Sequence, residues 1–262
     1  HFEKAQDLRY GIRAMRRSPA LMVVAILSLA LGIGANTAIF SVMDALMLKA
    51  LPVKAPAELV LFGDGRAGGS TNDFPTGSPR LFSYATYRTI QRQTHAFSGL
   101  AAVVSLSFQS HGSIAGGDVE SISTELVSGT YFSVLGITPA AGRVFSDADD
   151  QTPGGHPVAV ASDRFWTRRF ARDPGAVGAT VTIGSTIYTI VGVTPPGFFG
   201  TTVGNSPDLW IPITMQAQLS PGWNGLEDPT FQSLYLVGRL RPGVSAAQAS
   251  TDTDQVFRQI LG

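Results

Sequence analysis

The pattern of apolar and polar positions splits the chain into two unequal parts. Residues 18–43 carry no charged side chain, and LMVVAILSLALGIGANTAIF (residues 21–40) offers only Ser28, Asn36 and Thr37 as polar groups. As a helix, residues 18–43 extend roughly 39 Å, more than the ~30 Å hydrocarbon core of a bilayer. A buried helix of that length in a soluble protein keeps a wet, charged face. This one has none, and the pattern predicts a transmembrane helix. A cleaved signal peptide has a shorter apolar stretch ending in a small-x-small site, which is not found here.

Three finer features belong to this part. Ser28, Gly32 and Asn36 recur every four residues, so they form one stripe of small and polar groups suited to a helix–helix interface. An amide facing lipid would lack partners, which implies other transmembrane helices. Residues 41–51 contain no Gly or Pro before Pro52, so the helix is expected to run on to about residue 51. Its outer turns, with Asp44, Ala45, Leu46 and Leu48, read as a stiff mechanical coupling helix. Ahead of the span, Phe2, Leu8, Ile12 and Met15 recur at helical spacing beside Arg9, Arg13 and Arg16, predicting an amphipathic interfacial segment over residues 1–17.

Beyond residue 52 the pattern alternates between strand and helix periods, an α+β domain. Strands are predicted at residues 58–62, 100–109, 117–128, 158–162, 179–184, 187–193, 208–213 and 233–240. Residues 100–109 and 117–128 are expected to pair as a hairpin. Helices are predicted at residues 81–93, around Tyr131, Phe132 and Leu135, around Phe165, Trp166 and Phe170, and from a Ser245 cap towards Ile260. The last strand–helix unit has no strand after it, so the chain is expected to be cut short at its C-terminal end.

Charge supplies the orientation. Residues 1–17 carry Lys4, Arg9, Arg13, Arg16 and Arg17 against Glu3 and Asp7, whereas residues 44–262 hold 14 basic and 17 acidic residues. Positive flanks stay in the cytoplasm, which puts the N-terminus inside and the larger part outside. The whole chain has 19 basic and 19 acidic residues, so nothing favours nucleic acid as a partner. Cysteine is absent and the four histidines are not spaced as a metal pair, which removes thiolate chemistry and Cys-ligated metals.

Candidate chemistry is sparse. Residues 63–68 match GxGxxG, but the breakers that follow exclude the helix a dinucleotide site requires. No GxxxxGK[ST], GxSxG or HExxH occurs. Asp147, Asp149 and Asp150 read as a solvated turn or a helix cap, and Trp166 with Arg168 and Arg169 as a packed helix with snorkelling arginines. No catalytic residue, cofactor or metal is expected.

Residues 7–52 resemble the first transmembrane segment of MacB/FtsX-type permeases, and within that group the duplicated orphan (ADOP-type) permeases. The similarity continues through residues 127–149, 158–200 and 208–213, which resemble the family's periplasmic core domain. The resemblance implies one transmembrane helix over residues 18–43 followed by a two-lobed extracytoplasmic α+β domain over residues 52–262. Residues 58–128 with 229–262 would form a porter-like βαβ lobe, and residues 140–228 an inserted, mainly-β lobe. It also implies a permease of the cell inner membrane with no catalysis of its own. A separate cytoplasmic ATPase subunit would drive it, passing motion outward for export, with membrane lipid, further transmembrane helices or a second copy, and a periplasmic adaptor as partners. The rival reading is a membrane-anchored sensor domain that binds a ligand outside.

Overall fold

Each strand must satisfy its backbone on at least one edge, and the pairing pattern of this chain does so almost without loose ends. The computed structural model describes residues 53–62, 81–201 and 205–261. These belong to one compact unit, Leu51–Gly262. The amphipathic segment, the span with its Ser28, Gly32 and Asn36 stripe, the coupling helix and the glycine-rich loop after Phe62 lie outside the described residues. Among the described residues no helix is long and apolar enough to cross a membrane.

In chain order the elements are β1 (Leu59–Leu61), α1 (Tyr84–Gln93), β2 (Phe97–Val104), β3 (Phe108–Ile114), β4 (Val119–Val127), α2 (Tyr131–Leu135), β5 (Ala141–Gly142), β6 (Val158–Ala161), α3 (Asp163–Phe170), β7 (Thr180–Ile183), β8 (Thr186–Val193), β9 (Leu209–Pro212), α4 (Gln216–Leu219), β10 (Leu234–Leu240) and α5 (Ala246–Leu261). The sheet order is β1-β10-β2-β4-β3-β7-β8-β6-β9, with β5 paired to β8. β1 and β2 both run antiparallel to β10, so they run the same way, with α1 between them in the chain.

A further pairing changes the architecture. β9 bonds to β6 on one side and, in parallel, to β4 on the other, with Glu125 opposite Trp210 and Leu126 opposite Ile211. The strands β4, β3, β7, β8, β6 and β9 therefore close on themselves, which removes their free edges. Ile122, Leu126, Val181, Ile190 and Ile211 fill the inside of this ring. The same core continues beneath α1 and α5 through Tyr87, Ile90, Leu236 and Val256. The opposite face of the sheet is covered by α2 and Phe198, over Val103, Val127, Val160, Trp210 and Tyr235.

One expected hairpin is corrected. The chain from Leu100 to Gln109 is not a single strand: it spans the end of β2 and the start of β3, and it is β3 that pairs with β4 in the hairpin. Val103 lies opposite Val127 and Phe108 opposite Thr124, so five steps of one chain face three of the other. The surplus residues bulge, because Ser105 donates its N–H to Ser233 rather than to β4.

Of the two readings of the acidic cluster, the helix cap holds and the solvated turn does not. Asp149 and Asp150 are buried rather than solvated. Asp149 closes a capping box with Ser146, accepting its N–H at 2.8 Å and its hydroxyl at 2.9 Å. Burial works against its ionisation, but the Arg143 fork, at 2.7 and 2.8 Å, and the Ser146 bonds hold the acid down at about 2. Asp150 accepts the N–H groups of Gly129 and Thr214, joining the start of α2 to the segment after β9. Trp166 packs as expected: it is buried, its Nε1–H reaches the Asp173 carbonyl at 2.7 Å, and the Arg172 guanidinium lies over its ring.

Because closure rests on the seam between β4 and β9, Ile211→Ala should destabilise the domain by about 2–5 kcal/mol through the cavity it leaves. Val119→Ala, on an exposed position of the same sheet, should change stability by under about 0.5 kcal/mol. Equilibrium denaturation checks the contrast.

Candidate functional site

The residues that follow position 52 enter the domain as an irregular segment and not as a strand. Irregular backbone has no ladder to satisfy it and must find partners elsewhere. Here one side chain supplies two of them. Arg239, near the end of β10, donates from Nε to the Val134 carbonyl at 2.7 Å and from Nη2 to the Lys54 carbonyl at 2.6 Å. Its Nη1 reaches the Glu58 carboxylate at 2.9 Å and, more loosely, the Ala55 carbonyl at 3.4 Å. The guanidinium side chain is 13% exposed. A rigid fork of five donors can serve acceptors on two elements at once; a single ammonium cannot span the same set.

The acceptors are placed by local rules. Ala55 takes a left-handed φ of 44° and Pro56 opens a single 3-10 turn over Pro56–Glu58, which folds Glu58 back towards Arg239. On the other side, α2 ends at Gly136 in the left-handed conformation, φ 70°. A Cβ at Gly136 would stand 2.5 Å from that of Lys54, so the glycine also lets the incoming chain lie against the helix end. The Lys54 N–H completes the joint by donating to the Leu135 carbonyl at 3.0 Å. Arg239 itself sits where β10 shifts register against β2, between Arg239 and Leu240.

Chemically this is a clamp, with no nucleophile–base pair in it. It fixes the entering chain to α2 and to strand β10 at once, so displacement of residues 53–58 pulls on both. The other end of the domain is tied separately. Ser245 and Gln248 form a capping box at the start of α5, and Asp252 accepts the N–H groups of His95 and Ala96 at 2.9 and 3.1 Å.

The residues singled out in the sequence, Ser28, Gly32, Asn36, Asp44, Ala45, Leu46 and Leu48, lie outside the described residues. Arg239 was missed. Its signal was an arginine within the otherwise apolar strand Leu234–Leu240, a position where charge needs a stated partner.

The model of the MacB-like periplasmic core domain family matches residues 22–256. Among solved structures, the periplasmic region of MacB from Actinobacillus actinomycetemcomitans is similar at 14% identity, covering 79% of this chain and 87% of that one, with a TM-score of 0.57. The extracellular domain of the noncanonic ABC-type transporter YknZ from Gram-positive bacteria is similar at 14% identity, covering 78% of this chain and 93% of that one, with a TM-score of 0.49. No curated protein matches the sequence. The likeness to the MacB region shows a shared mixed α+β fold.

Removing the clamp should be felt unequally by its members. Arg239→Ala strands three carbonyls and a carboxylate and should cost about 2–4 kcal/mol. Glu58→Gln alters only the partner that is half exposed and should cost under about 1 kcal/mol. Arg239→Lys should fall between them. Chemical denaturation of the three variants checks the order.

Proposed function

Because the chain belongs to the family of MacB-like periplasmic core domains, we propose that it forms the N-terminal part of an ABC-type permease that passes motion outward. A separate ATPase subunit hydrolyses ATP in the cytoplasm. The helix over residues 18–51, which contains the transmembrane segment 18–43, carries the resulting displacement, and the Arg239 clamp hands it to the extracytoplasmic domain. The observation that supports this reading is the clamp: a mechanical relay needs a rigid joint where the membrane-side chain meets the fold, and residues 53–58 are held by Arg239 and α2.

In this reading Asp44, Ala45, Leu46 and Leu48 stiffen the coupling helix, and Ser28, Gly32 and Asn36 pack on a neighbouring helix of the same permease or of a second copy. The N-terminus faces the cytoplasm, with the amphipathic residues 1–17 on the lipid. The domain divides into a porter-like lobe, residues 58–128 with 229–262, and an inserted lobe, residues 140–228. In this division β7, β8, β6 and β9 belong to the inserted lobe, which joins the first through the β3–β7 and β4–β9 pairings. A periplasmic adaptor would dock outside. The chain performs no catalysis itself.

The test uses the complete permease with its ATPase subunit in membranes. Arg239→Ala and the double change Ala45→Gly with Leu46→Gly should leave insertion and ATP hydrolysis in place while export falls several-fold. Two glycines placed among residues 63–79 should be tolerated. Normal export by both the clamp variant and the helix variant would overturn the relay. Replacing Gly32 with Leu should reduce assembly of the permease, measured by co-purification of its subunits. Protease added outside spheroplasts should cut within residues 52–262, and protection would reverse the orientation.

A further inference from the structure

Four carboxylates are buried among the described residues, in sharply different surroundings, and Asp149 is held by the Arg143 fork. Asp208 accepts the Ser123 N–H and is paired with Arg168 and, at longer range, Arg164. Asp150 accepts two backbone N–H groups. Glu125, 2% exposed on β4, receives the indole N–H of Trp210 at 2.7 Å. Among the described residues no arginine or lysine is bonded to it.

Its walls are aromatic. Trp210 bonds to it from β9, the Tyr131 phenol on α2 and the Tyr235 hydroxyl on β10 are joined through Thr201, and Gly200 lies against its carboxylate. Gly200, at φ 94°, presses so close that a Cβ there would come within 3.2 Å of Glu125 Oε2. The Thr201 hydroxyl is shared with Tyr235 at 2.8 Å and accepts from Tyr131 at 3.4 Å. Phe198 is buried among the rings of Trp210, Phe132 and Tyr131, with centroids 5.4, 6.2 and 6.4 Å away. The titratable groups that face Glu125 are thus two phenols, and both become negative when they ionise. Burial first, then the charges of Glu125 and Tyr235, push the Tyr131 phenol well above its ordinary range.

An ionised carboxylate in such a box is badly solvated and has two ways out: it keeps its proton, or water is admitted. Three sides of the box are strands or a helix fixed in the core. The fourth, residues 195–201, is irregular and is the side that yields most easily. We propose that residues 195–201 are a proton-operated cover, closed over protonated Glu125 and lifting to hydrate the carboxylate when it ionises.

Burial pushes Glu125 up to about 7, against the opposing pull of the Trp210 N–H bond. An acid raised in the closed state and ordinary in the open one favours closure at low pH. The closed form then loses ground as pH rises from the ordinary carboxylate value towards 7 and changes no further above it.

The experiment is hydrogen–deuterium exchange of the amides of residues 197–201 in the full chain in nanodiscs, from pH 4.5 to 8, corrected for intrinsic rates. The opening constant should rise about ten-fold per pH unit up to about pH 7 and then level. In Glu125→Gln the profile should be flat, at the protection wild type shows at its most acidic point. Asp150, which burial pushes up to about 6, titrates in the same window, and Asp150→Asn should retain the slope. A flat wild-type profile overturns the proposal, as does a slope that survives Glu125→Gln or vanishes in Asp150→Asn. Should Glu125→Gln fail to fold, wild type and Asp150→Asn decide: a slope in both supports the cover, and a flat profile in either overturns it.

Discussion

Strand β4 is bonded along both edges and covered on both faces, and the rest of the domain is arranged around that demand. Its first half serves β3, its last residues serve β9 in parallel, and Val127 also meets β2. From Ile122 onward every residue is buried. One face supplies Ile122 and Leu126 to the ring interior, while the other sets Glu125 and Val127 beneath α2. A strand in this position cannot slip by one residue, since slipping would exchange its two cores. The ring, the layer of α1 and α5, and the layer of α2 are thereby fixed relative to one another.

Local periods made much of this legible. The predicted strands near β1, β4, β6, β7, β8, β9 and β10 fall close to their positions in the structure, and Ser245 caps its helix as expected. What was not legible depended on partners distant in sequence. The alternation of residues 100–109 runs unbroken through the bulge, because the break is imposed by where β4 and β10 end and not by residue type. Ring closure depends on a parallel pairing of β4 with β9, which no local pattern encodes. The aspartates after Phe145 look like a wet turn in a polar stretch, yet backbone N–H groups and Arg143 draw two of them inside. The clamp escaped notice for a similar reason: most acceptors of Arg239 are carbonyls, and every residue has one.

The chain is poor in charge overall, 15%, and several of the charges in the domain are used as joints. Arg239 ties the entering segment to α2, Asp150 ties α2 to the segment after β9, and Asp208 ties β4 to α3 through the arginines. In each case hydrogen-bonding partners offset the cost of removing the group from water. Glu125 departs from this pattern, with an indole where the others have cations or paired amides. The five-residue α2 connects the two exceptional places: Tyr131 at its start borders the Glu125 box, and Leu135 at its end holds Lys54.

The distance in sequence across the clamp bears on how the molecule is made. Lys54 and Arg239 stand 185 positions apart, and among the described residues β1 has no ladder partner but β10. Synthesis proceeds from the N-terminus, so residues 53–61 emerge early and must wait for almost the whole domain before their partners exist. Pairings of such long range are the slow ones in folding. This joint is thus among the last to close, and a chain interrupted before β10 cannot assemble it. Completion of the joint therefore reports that the entire domain has arrived and folded.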